Sequence, residues 1–346
     1  MKNIFVLFSL ILTINSFSQN IKGKVFNNDK TPLSGANIYY KGTTISTISD
    51  ENGNFTLNYY PKSNTILVIS FMGYQSQYFS NFDSSKDLNI ELIASKNSLK
   101  EVVVNRKDEF SRKQKLKIFR EHFLGATPNG KVALIENEED IYFKYDKENF
   151  TLKAFSDKPL IIISPSLGYK IYYELQNFEV TFNNFSINTD DVVLSYYKGL
   201  SRFEEINNSN EILINRKKAY QGSQIHFFSN LANNIWSREQ FLLLNDEQQV
   251  NANNCFKIYK QKDFIKVVVI KQLGENKNKN TIASYDILFD KKEESSIIFE
   301  TDSFTIDRYG NNSNIENIIF SGKISEEKVG DMLPLNYMSV PEKIIQ

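Results

Sequence analysis

Short segments in which apolar and polar residues alternate, separated by turn residues, recur along this chain. Successive side chains of a β-strand point to opposite faces, so alternation with a period of two predicts half-buried strands. The clearest example is Leu88, Ile90 and Leu92, between which Asn89 and Glu91 would face water. The 27 Phe and 18 Tyr residues also suit pleated surfaces. The pattern predicts a mainly β protein with antiparallel pairing rather than βαβ units.

Seven strands are predicted before residue 93. They are expected at about residues 21–26, 36–40, 43–49, 54–58, 65–71, 75–80 and 88–92. The turn after Ser49 is predicted to be a hairpin turn with Gly53 at positive φ. A calcium loop is the alternative there, because Asp50, Asn52 and Asn54 fall at alternate positions. An EF-hand also needs Gly at its sixth position and Glu at its twelfth, where this chain has Phe and Pro.

Four motifs in this region carry a family resemblance. They are Ile21-Lys22-Gly23-Lys24-Val25, Pro32-Leu33-Ser34-Gly35-Ala36-Asn37-Ile38, Ser49-Asp50-Glu51-Asn52-Gly53-Asn54-Phe55 and Ser70-Phe71-Met72-Gly73-Tyr74. Together they resemble the carboxypeptidase-like regulatory domain, a transthyretin-like β-sandwich of seven strands. That module accompanies some metallocarboxypeptidases and stands at the N-terminus of many outer-membrane TonB-dependent receptors. The resemblance implies a sandwich over residues 19–95.

The first residues have the composition of a secretory leader. Lys2 precedes an apolar run over residues 4–14, and the small residues Ser16 and Ser18 follow. This order predicts a signal peptide over residues 1–18, cleaved after Ser18. A membrane anchor would need about 20 apolar residues, and Asn15 interrupts this run. The leader therefore predicts export, and the family resemblance implies a Gram-negative bacterium, with the protein in the periplasm, at the cell surface or associated with the outer membrane.

Residues 96–110 are predicted to be a linker, and residues 111–346 a larger antiparallel β-rich α+β domain with a few helices. The stretch 111–124 has helical spacing and ends at Gly125 and Pro128. A second helical region over 210–233 is expected to break at Gly222, with Ser223 capping its second half. Strands are expected at 141–145, 150–155, 160–163, 169–175, 178–182, 192–197, 240–244, 255–259, 264–270, 282–289, 296–300, 304–307 and 318–324. Short turns are predicted at 146–149 and 176–177.

Several segments of this second domain resemble the uncharacterised region that follows the regulatory module in short exported proteins of Gram-negative bacteria. Among them are Lys117-Ile118-Phe119-Arg120, Thr127-Pro128-Asn129-Gly130, Leu167-Gly168-Tyr169 and Arg216-Lys217-Lys218-Ala219-Tyr220-Gln221-Gly222-Ser223. The resemblance implies a cell-envelope location and carries no catalytic residue.

The charge balance and the single cysteine exclude several classes of function. Lys and Arg number 41, as do Asp and Glu, so no global field favours nucleic acid as a partner. Cys255 is the only cysteine, so an intrachain disulfide is impossible and no cysteine near the leader could carry a lipid. Stability must come from packing.

Catalytic and metal motifs are also missing from the sequence. A zinc carboxypeptidase needs His-x-x-Glu, but Gly125 and Ser229 stand three residues after the only histidines, His122 and His226. We interpret both histidines as packing or capping residues, and we expect no cofactor and no metal. Acidic runs at 138–140, 190–191, 204–205 and 293–294 could in principle supply a glycosidase pair. Neighbouring acids on a strand point to opposite faces, so loop or solvent-facing pairs are favoured.

One cationic segment is a candidate site. Arg216, Lys217 and Lys218 precede the predicted cap at Ser223, so they could stand near the free amides of a helix N-terminus and bind an anion or a partner. The alternative is a solvated cationic face.

Two classes of function remain open. The leading hypothesis is a non-enzymatic envelope protein that binds a glycan or an envelope partner through strands and loops. The alternative is a small outer-membrane β-barrel formed by the strands after residue 140. A hydrolase is less favoured because no set of residues converges on a site.

Overall fold

The computed structural model describes residues 20–58, 66–80, 82–83, 85–95, 109–261, 264–272, 280–307 and 309–337. The predicted signal peptide at 1–18 and most of the predicted linker at 96–110 lie outside these residues. Contacts divide the chain into two compact units. The first holds Met1–Tyr39, Ile45–Tyr60 and Leu67–Asn97, and the second holds Tyr40–Thr44, Pro61–Ile66 and Ser98–Gln346.

The described part of the N-terminal unit contains the seven predicted strands. They are β1 (Asn20–Asn27), β2 (Asn37–Tyr40), β3 (Ser46–Ile48), β4 (Asn54–Asn58), β5 (Leu67–Ser70), β6 (Gln77–Phe79) and β7 (Leu88–Leu92). One sheet has the order β4-β1-β7 and the other β3-β2-β5-β6. Ile21, Ile38 and Leu92, which come from both sheets, are fully buried. The prediction of a mainly β fold is confirmed.

The turn before β4 has the predicted positive φ at Gly53, but the predicted hairpin is wrong, because the turn joins β3 of one sheet to β4 of the other. Gly53 has φ of 78°, a left-handed conformation that glycine adopts without steric cost. The Asp50 carboxylate accepts hydrogen bonds from the backbone N–H groups of Asn52 and Asn54, at 2.9 and 2.8 Å. Asp50 therefore closes the turn by capping its own backbone.

We call the second unit the C-terminal unit after its main segment, Ser98–Gln346. The first described elements of that segment are two short helices, α1 (Arg112–Phe123) and α2 (Pro128–Val132). Ser111 caps α1 in a capping box with Gln114, and Gly125 follows the helix at φ of 103°. The helical spacing predicts an apolar stripe of Leu116, Phe119 and Phe123, of which Phe119 and Phe123 are buried and Leu116 is half-buried.

A curved sheet packs against that stripe. Its strands are β8 (Leu134–Ile135), β9 (Ile141–Asp146), β10 (Thr151–Ser156), β11 (Leu160–Ser164), β12 (Tyr169–Phe182) and β13 (Val192–Glu205). Among the described residues the order is β8-β11-β12-β10-β9, with β13 on the other side of β12. The predicted turn at 146–149 joins β9 to β10. The buried face of α1 and the face of the sheet that it contacts form one hydrophobic core.

The predicted turn at 176–177 is wrong, because β12 runs through it without interruption. Leu175 is opposite Gly199 and Asn177 is opposite Lys198, so Gln176 is an extra residue in a β-bulge. Buried positions are odd-numbered up to Leu175 and even-numbered from Phe178. The bulge shifts the alternation by one residue and thereby keeps both apolar sets on the core side.

Helices α3 (Asn210–Tyr220) and α4 (Gln224–Asn233) follow, and the break between them lies at Gly222 as predicted. The Ser223 hydroxyl accepts a hydrogen bond from the His226 N–H at 3.2 Å, which confirms the predicted cap. Phe227, Phe228 and Leu231 of α4 enter a second hydrophobic core.

The remaining strands form two sheets around this second core. They are β14 (Phe241–Asn245), β15 (Gln248–Gln249), β16 (Phe256–Lys260), β17 (Ile265–Val269), β18 (Ala283–Phe289), β19 (Glu293–Phe299), β20 (Ser303–Ile306) and β21 (Ile318–Gly322). For the described strands the orders are β15-β14-β18-β19-β21 and β16-β17-β20. All of these pairs are antiparallel.

The segment after β21 contacts both cores of the C-terminal unit. Ile324 is buried in the second core, whereas Val329 and Leu333 are buried in the first. Gly330 donates its N–H to the Leu124 carbonyl at 2.9 Å. Asp331 accepts hydrogen bonds from the Thr127 hydroxyl at 2.8 and 2.9 Å and from the Asn129 amide at 3.1 Å. This C-terminal strap (residues 324–333) joins the two halves of the unit.

Candidate functional site

The three cations of the predicted anion surface do not lie together. The Arg216 side chain is buried and points inward from α3. Its guanidinium donates to the carbonyls of Leu167 and Asn207, both at 2.7 Å, and pairs with the Glu205 carboxylate at 2.5 Å. It also stacks on the ring of Tyr169, 4.0 Å from the ring centre. Arg216 is therefore occupied by internal groups.

Lys217 and Lys218 are exposed in the last turn of α3. At the start of α4, where an anion is expected, two of the backbone amides have internal partners. The Ser223 hydroxyl accepts from the His226 N–H, and the Gly222 N–H donates to His226 Nδ1 at 3.1 Å. The two lysines thus remain as a surface feature apart from that helix start.

The histidines lie in packed surroundings. His226 is buried between the rings of Tyr220, Phe241 and Phe289, and burial lowers its pKa to about 4. His122 on α1 also has a lowered pKa because of burial, with a further contribution from Lys328. Both imidazoles are therefore held neutral at neutral pH.

The acidic runs form local pairs rather than a shared site. Glu138 pairs with Arg120, Asp140 with Lys158 and Glu205 with Arg216. Glu293 and Glu294 occupy the start of β19, where one is half-buried and the other exposed. Within the described ranges, no group of three or more His, Cys, Asp or Glu side chains could hold a metal ion.

A cleft of about 400 Å³ in the C-terminal unit is the best candidate site. Three segments position its lining: the region between β14 and the start of β16, Gln272, and Tyr285 on β18. The lining residues are Asn245, Gln249, Val250, Asn251, Asn254, Cys255, Gln272 and Tyr285. Five of these side chains end in a primary amide and none carries a formal charge at neutral pH. We call this feature the amide cleft.

Hydrogen bonds hold one wall of the amide cleft in place. The Gln272 amide donates to the Ser284 carbonyl at 3.0 Å and accepts from the Ser284 N–H at 3.0 Å. The same amide nitrogen lies 3.2 Å from the side-chain oxygen of Asn245. The Gln272 side chain thus makes the two backbone hydrogen bonds that a neighbouring strand would make to β18. These bonds fix its position without a ligand.

The floor of the amide cleft is less polar. Cys255 and Tyr285 are buried, and the Cys255 thiol donates to the Asn251 carbonyl at 3.5 Å. Burial raises the pKa of both groups. The thiol is therefore neutral at neutral pH and is a poor nucleophile.

The sequence does not predict a site at the amide cleft. A signal exists in the run Asn245-Asp246-Glu247-Gln248-Gln249-Val250-Asn251-Ala252-Asn253-Asn254, which is dense in amides. Such a run is also ordinary loop composition. Gln272 and Tyr285 join it only through the pairing of β14 with β18.

The N-terminal unit belongs to a known class of module. The family model of the CarboxypepD_reg-like domain matches residues 21–104, so the resemblance carried by the four motifs is confirmed. The match covers the described strands of the first unit, which is about a quarter of the chain.

Particular relatives share this part of the chain. The TonB-dependent receptor SusC of Bacteroides thetaiotaomicron is 40% identical over 97 residues, which is 28% of this chain and 9% of the receptor. The TonB-dependent receptors P39 and P3 of Formosa agariphila are each 33% identical over 104 residues, 28% and 29% of this chain and 10% of each receptor. The chain thus spans about a tenth of the length of the curated relatives it matches.

Similarity to solved structures is weak. A chain of a type II cohesin–X-dockerin complex from Acetivibrio cellulolyticus is 20% identical over 22% of this chain and 58% of its own, with a TM-score of 0.20. A likeness at that level carries no argument about fold or function. Among the helices that the structure describes, none is both long and apolar enough to cross a membrane.

Proposed function

We propose that this chain is an exported, non-catalytic binding protein of the Gram-negative cell envelope, and that the amide cleft binds an uncharged glycan. The lining of the cleft is the observation that supports an uncharged glycan as the ligand, because five of its residues have side-chain amides and none is charged. We propose further that residues 19–95 and 111–346 are its two domains, joined by 96–110 after removal of the leader at 1–18.

The envelope location rests on the N-terminal domain. The relatives that share it are TonB-dependent receptors of two bacteria, and the domain is of a regulatory-like type. The leader pattern around Lys2 and Ser18 supports export to the same location. Periplasm and cell surface are both compatible with these features.

The chemistry of the cleft suits sugar hydroxyls. A primary amide offers two donors and an acceptor, so it can pair with hydroxyl groups in either direction. An anion or a cation would gain little from an uncharged lining. A volume of about 400 Å³ falls in the range of small-ligand pockets, roughly 300–1,000 Å³.

Binding without catalysis is the better interpretation of this site. Its titratable lining groups, Cys255 and Tyr285, are shifted by burial toward their neutral forms. General acid–base work near neutral pH would need a group whose pKa lies close to 7. The lining therefore fits recognition.

A matched pair of double variants tests the ligand site. Gln249→Ala with Asn254→Ala removes two lining amides, whereas Gln248→Ala with Asn253→Ala removes their immediate, exposed neighbours outside the lining. Calorimetric titration with malto-, cello- and chito-oligosaccharides should show an affinity loss of about tenfold or more for the lining pair only. No sugar binding, or equal loss in both variants, would contradict the glycan site.

Fractionation tests the location. The full chain expressed with its leader should appear in the osmotic-shock fraction, and N-terminal sequencing of the mature form should begin at Gln19. Recovery only from detergent-solubilised outer membrane would contradict a protein that is free in the periplasm. A mature form that still begins at Met1 would contradict export with cleavage of the leader.

A further inference from the structure

Helix α3 turns its arginine inward and two aliphatic residues outward. Leu213 is 47% exposed and Ile214 56% exposed, whereas Arg216 is 3% exposed. The buried face of a surface helix ordinarily carries the aliphatic side chains. The reversed arrangement leaves an apolar pair in contact with solvent.

Internal contacts fix this orientation. Arg216 binds the carbonyls of Leu167 and Asn207 and the carboxylate of Glu205. Ile212, one residue before the exposed pair, is buried on the same side as Arg216. Rolling the helix to bury Leu213 would break these hydrogen bonds and leave buried carbonyls without donors. The exposure of the apolar pair is therefore a stable property of the fold.

Two lysines continue the exposed face. Lys217 and Lys218 lie four residues after Leu213 and Ile214, so each aliphatic side chain has a lysine one turn away on the same surface. We call these four residues the α3 patch. We propose that the α3 patch docks this protein on an anionic lipid surface, with the aliphatic pair in the headgroup and acyl boundary and the lysines at the phosphates.

The composition of the α3 patch favours a lipid surface over a soluble anion. Aliphatic side chains gain from leaving water, and lysine stems can extend so that the ammonium groups remain at the polar interface. A free phosphate would use the lysines only. The chain carries equal numbers of basic and acidic residues, so attraction to an anionic surface must come from a local group of cations. The acid of this helix, Glu211, lies in its first turn, away from the lysines at the other end.

Vesicle flotation tests the proposal on the chain from Gln19 onward, so that the leader does not contribute. The protein should float with vesicles of phosphatidylethanolamine and phosphatidylglycerol, float much less with phosphatidylcholine alone, and be released by salt. Leu213→Ser with Ile214→Ser, and Lys217→Gln with Lys218→Gln, should each reduce the bound fraction about tenfold. Glycerol phosphate in solution should not compete.

Two control variants keep the test specific. Val193→Ser with Leu194→Ser changes an even more exposed aliphatic pair on β13, and Lys257→Gln with Lys260→Gln changes two exposed lysines on β16. Both should float like the unchanged protein. Absence of flotation, equal losses in the control variants, or full competition by glycerol phosphate would each overturn lipid docking by the α3 patch. All substitutions lie at exposed positions, and circular dichroism should show that each variant is folded.

Discussion

The guanidinium of Arg216 stacks on the ring of Tyr169, 4.0 Å from the ring centre, inside the C-terminal unit. A cation is stabilised electrostatically by the negative face of an aromatic ring, and the stabilisation is larger when both groups are shielded from water. Burial raises the pKa of Tyr169 to about 12, with Arg216 opposing the shift. The pair attaches α3 to the start of β12, and the first prediction follows from it.

Arg216→Ala should lower the free energy of unfolding by about 3 kcal/mol, because it leaves the carbonyls of Leu167 and Asn207 without their donors. Urea denaturation measures the change. Lys217→Ala is the neighbouring control and should stay within about 0.5 kcal/mol, since its side chain is exposed. Equal effects of the two variants would show that Arg216 has no structural role.

The cap of α4 gives a second prediction. Ser223→Ala should destabilise the protein by about 1 kcal/mol, because the hydroxyl accepts from the His226 N–H and donates to the Tyr220 carbonyl. Ser209 precedes α3 in the same way but makes no side-chain capping hydrogen bond. Ser209→Ala should therefore change stability by only a few tenths of a kcal/mol. Thermal or urea unfolding of both variants makes the comparison, and a larger loss at Ser209 would contradict it.

The C-terminal strap gives a third prediction, on pH. Burial raises the pKa of Glu327 to about 8, with Asp331 and Glu293 adding to the shift and Lys323 opposing it. The folded state thus binds this proton more tightly than the unfolded chain, whose carboxyl has its ordinary pKa of 4.5. The resulting stability is fully present below pH 4.5 and is lost as the pH rises through about 8.

Melting temperatures measured between pH 5 and pH 9 should therefore fall with rising pH, and Glu327→Gln should flatten that slope. Glu326→Gln is the adjacent control, because Glu326 is exposed and pairs with Lys323 at the surface. It should leave the slope as it is. A slope that persists in Glu327→Gln would assign the pH dependence to other groups.

The bulge in β12 gives a fourth prediction. Deleting Gln176 would remove the extra residue, so either the set around Leu175 or the set around Phe178 would turn to the outer face. The deletion should abolish soluble, cooperatively unfolding protein. Gln176→Ser keeps the residue count and should change stability by less than about 0.5 kcal/mol. Circular dichroism and solubility distinguish the two, and a folded deletion variant would contradict the bulge.

The strands and helices of this protein could be predicted because local patterns determine them. The alternation at Leu88, Ile90 and Leu92 and the helical stripe of Phe119 and Phe123 each correspond to one buried face. Turn chemistry at Gly53 and the cap at Ser223 are equally local. Those features depend on few residues that are close in sequence.

The remaining features depend on contacts between distant segments. A break in alternation at Gln176 is compatible with a turn or a bulge, and only the long pairing with β13 selects the bulge. The inward position of Arg216 depends in part on the Leu167 carbonyl, 49 residues away. The amide cleft requires Gln272 and Tyr285 to meet the loop before β16. Local sequence patterns do not encode such contacts between residues that are distant in sequence.

The C-terminal strap also bears on the cooperativity of unfolding. Ile324 packs in the second core and Val329 in the first. Unfolding of either core would therefore release one end of the strap and weaken the packing of its other end in the remaining core. Two cores coupled in this way should unfold in a single transition rather than in two steps. The strap follows every described strand in the chain, so neither core can be complete until this segment, which comes after all of those strands, has folded.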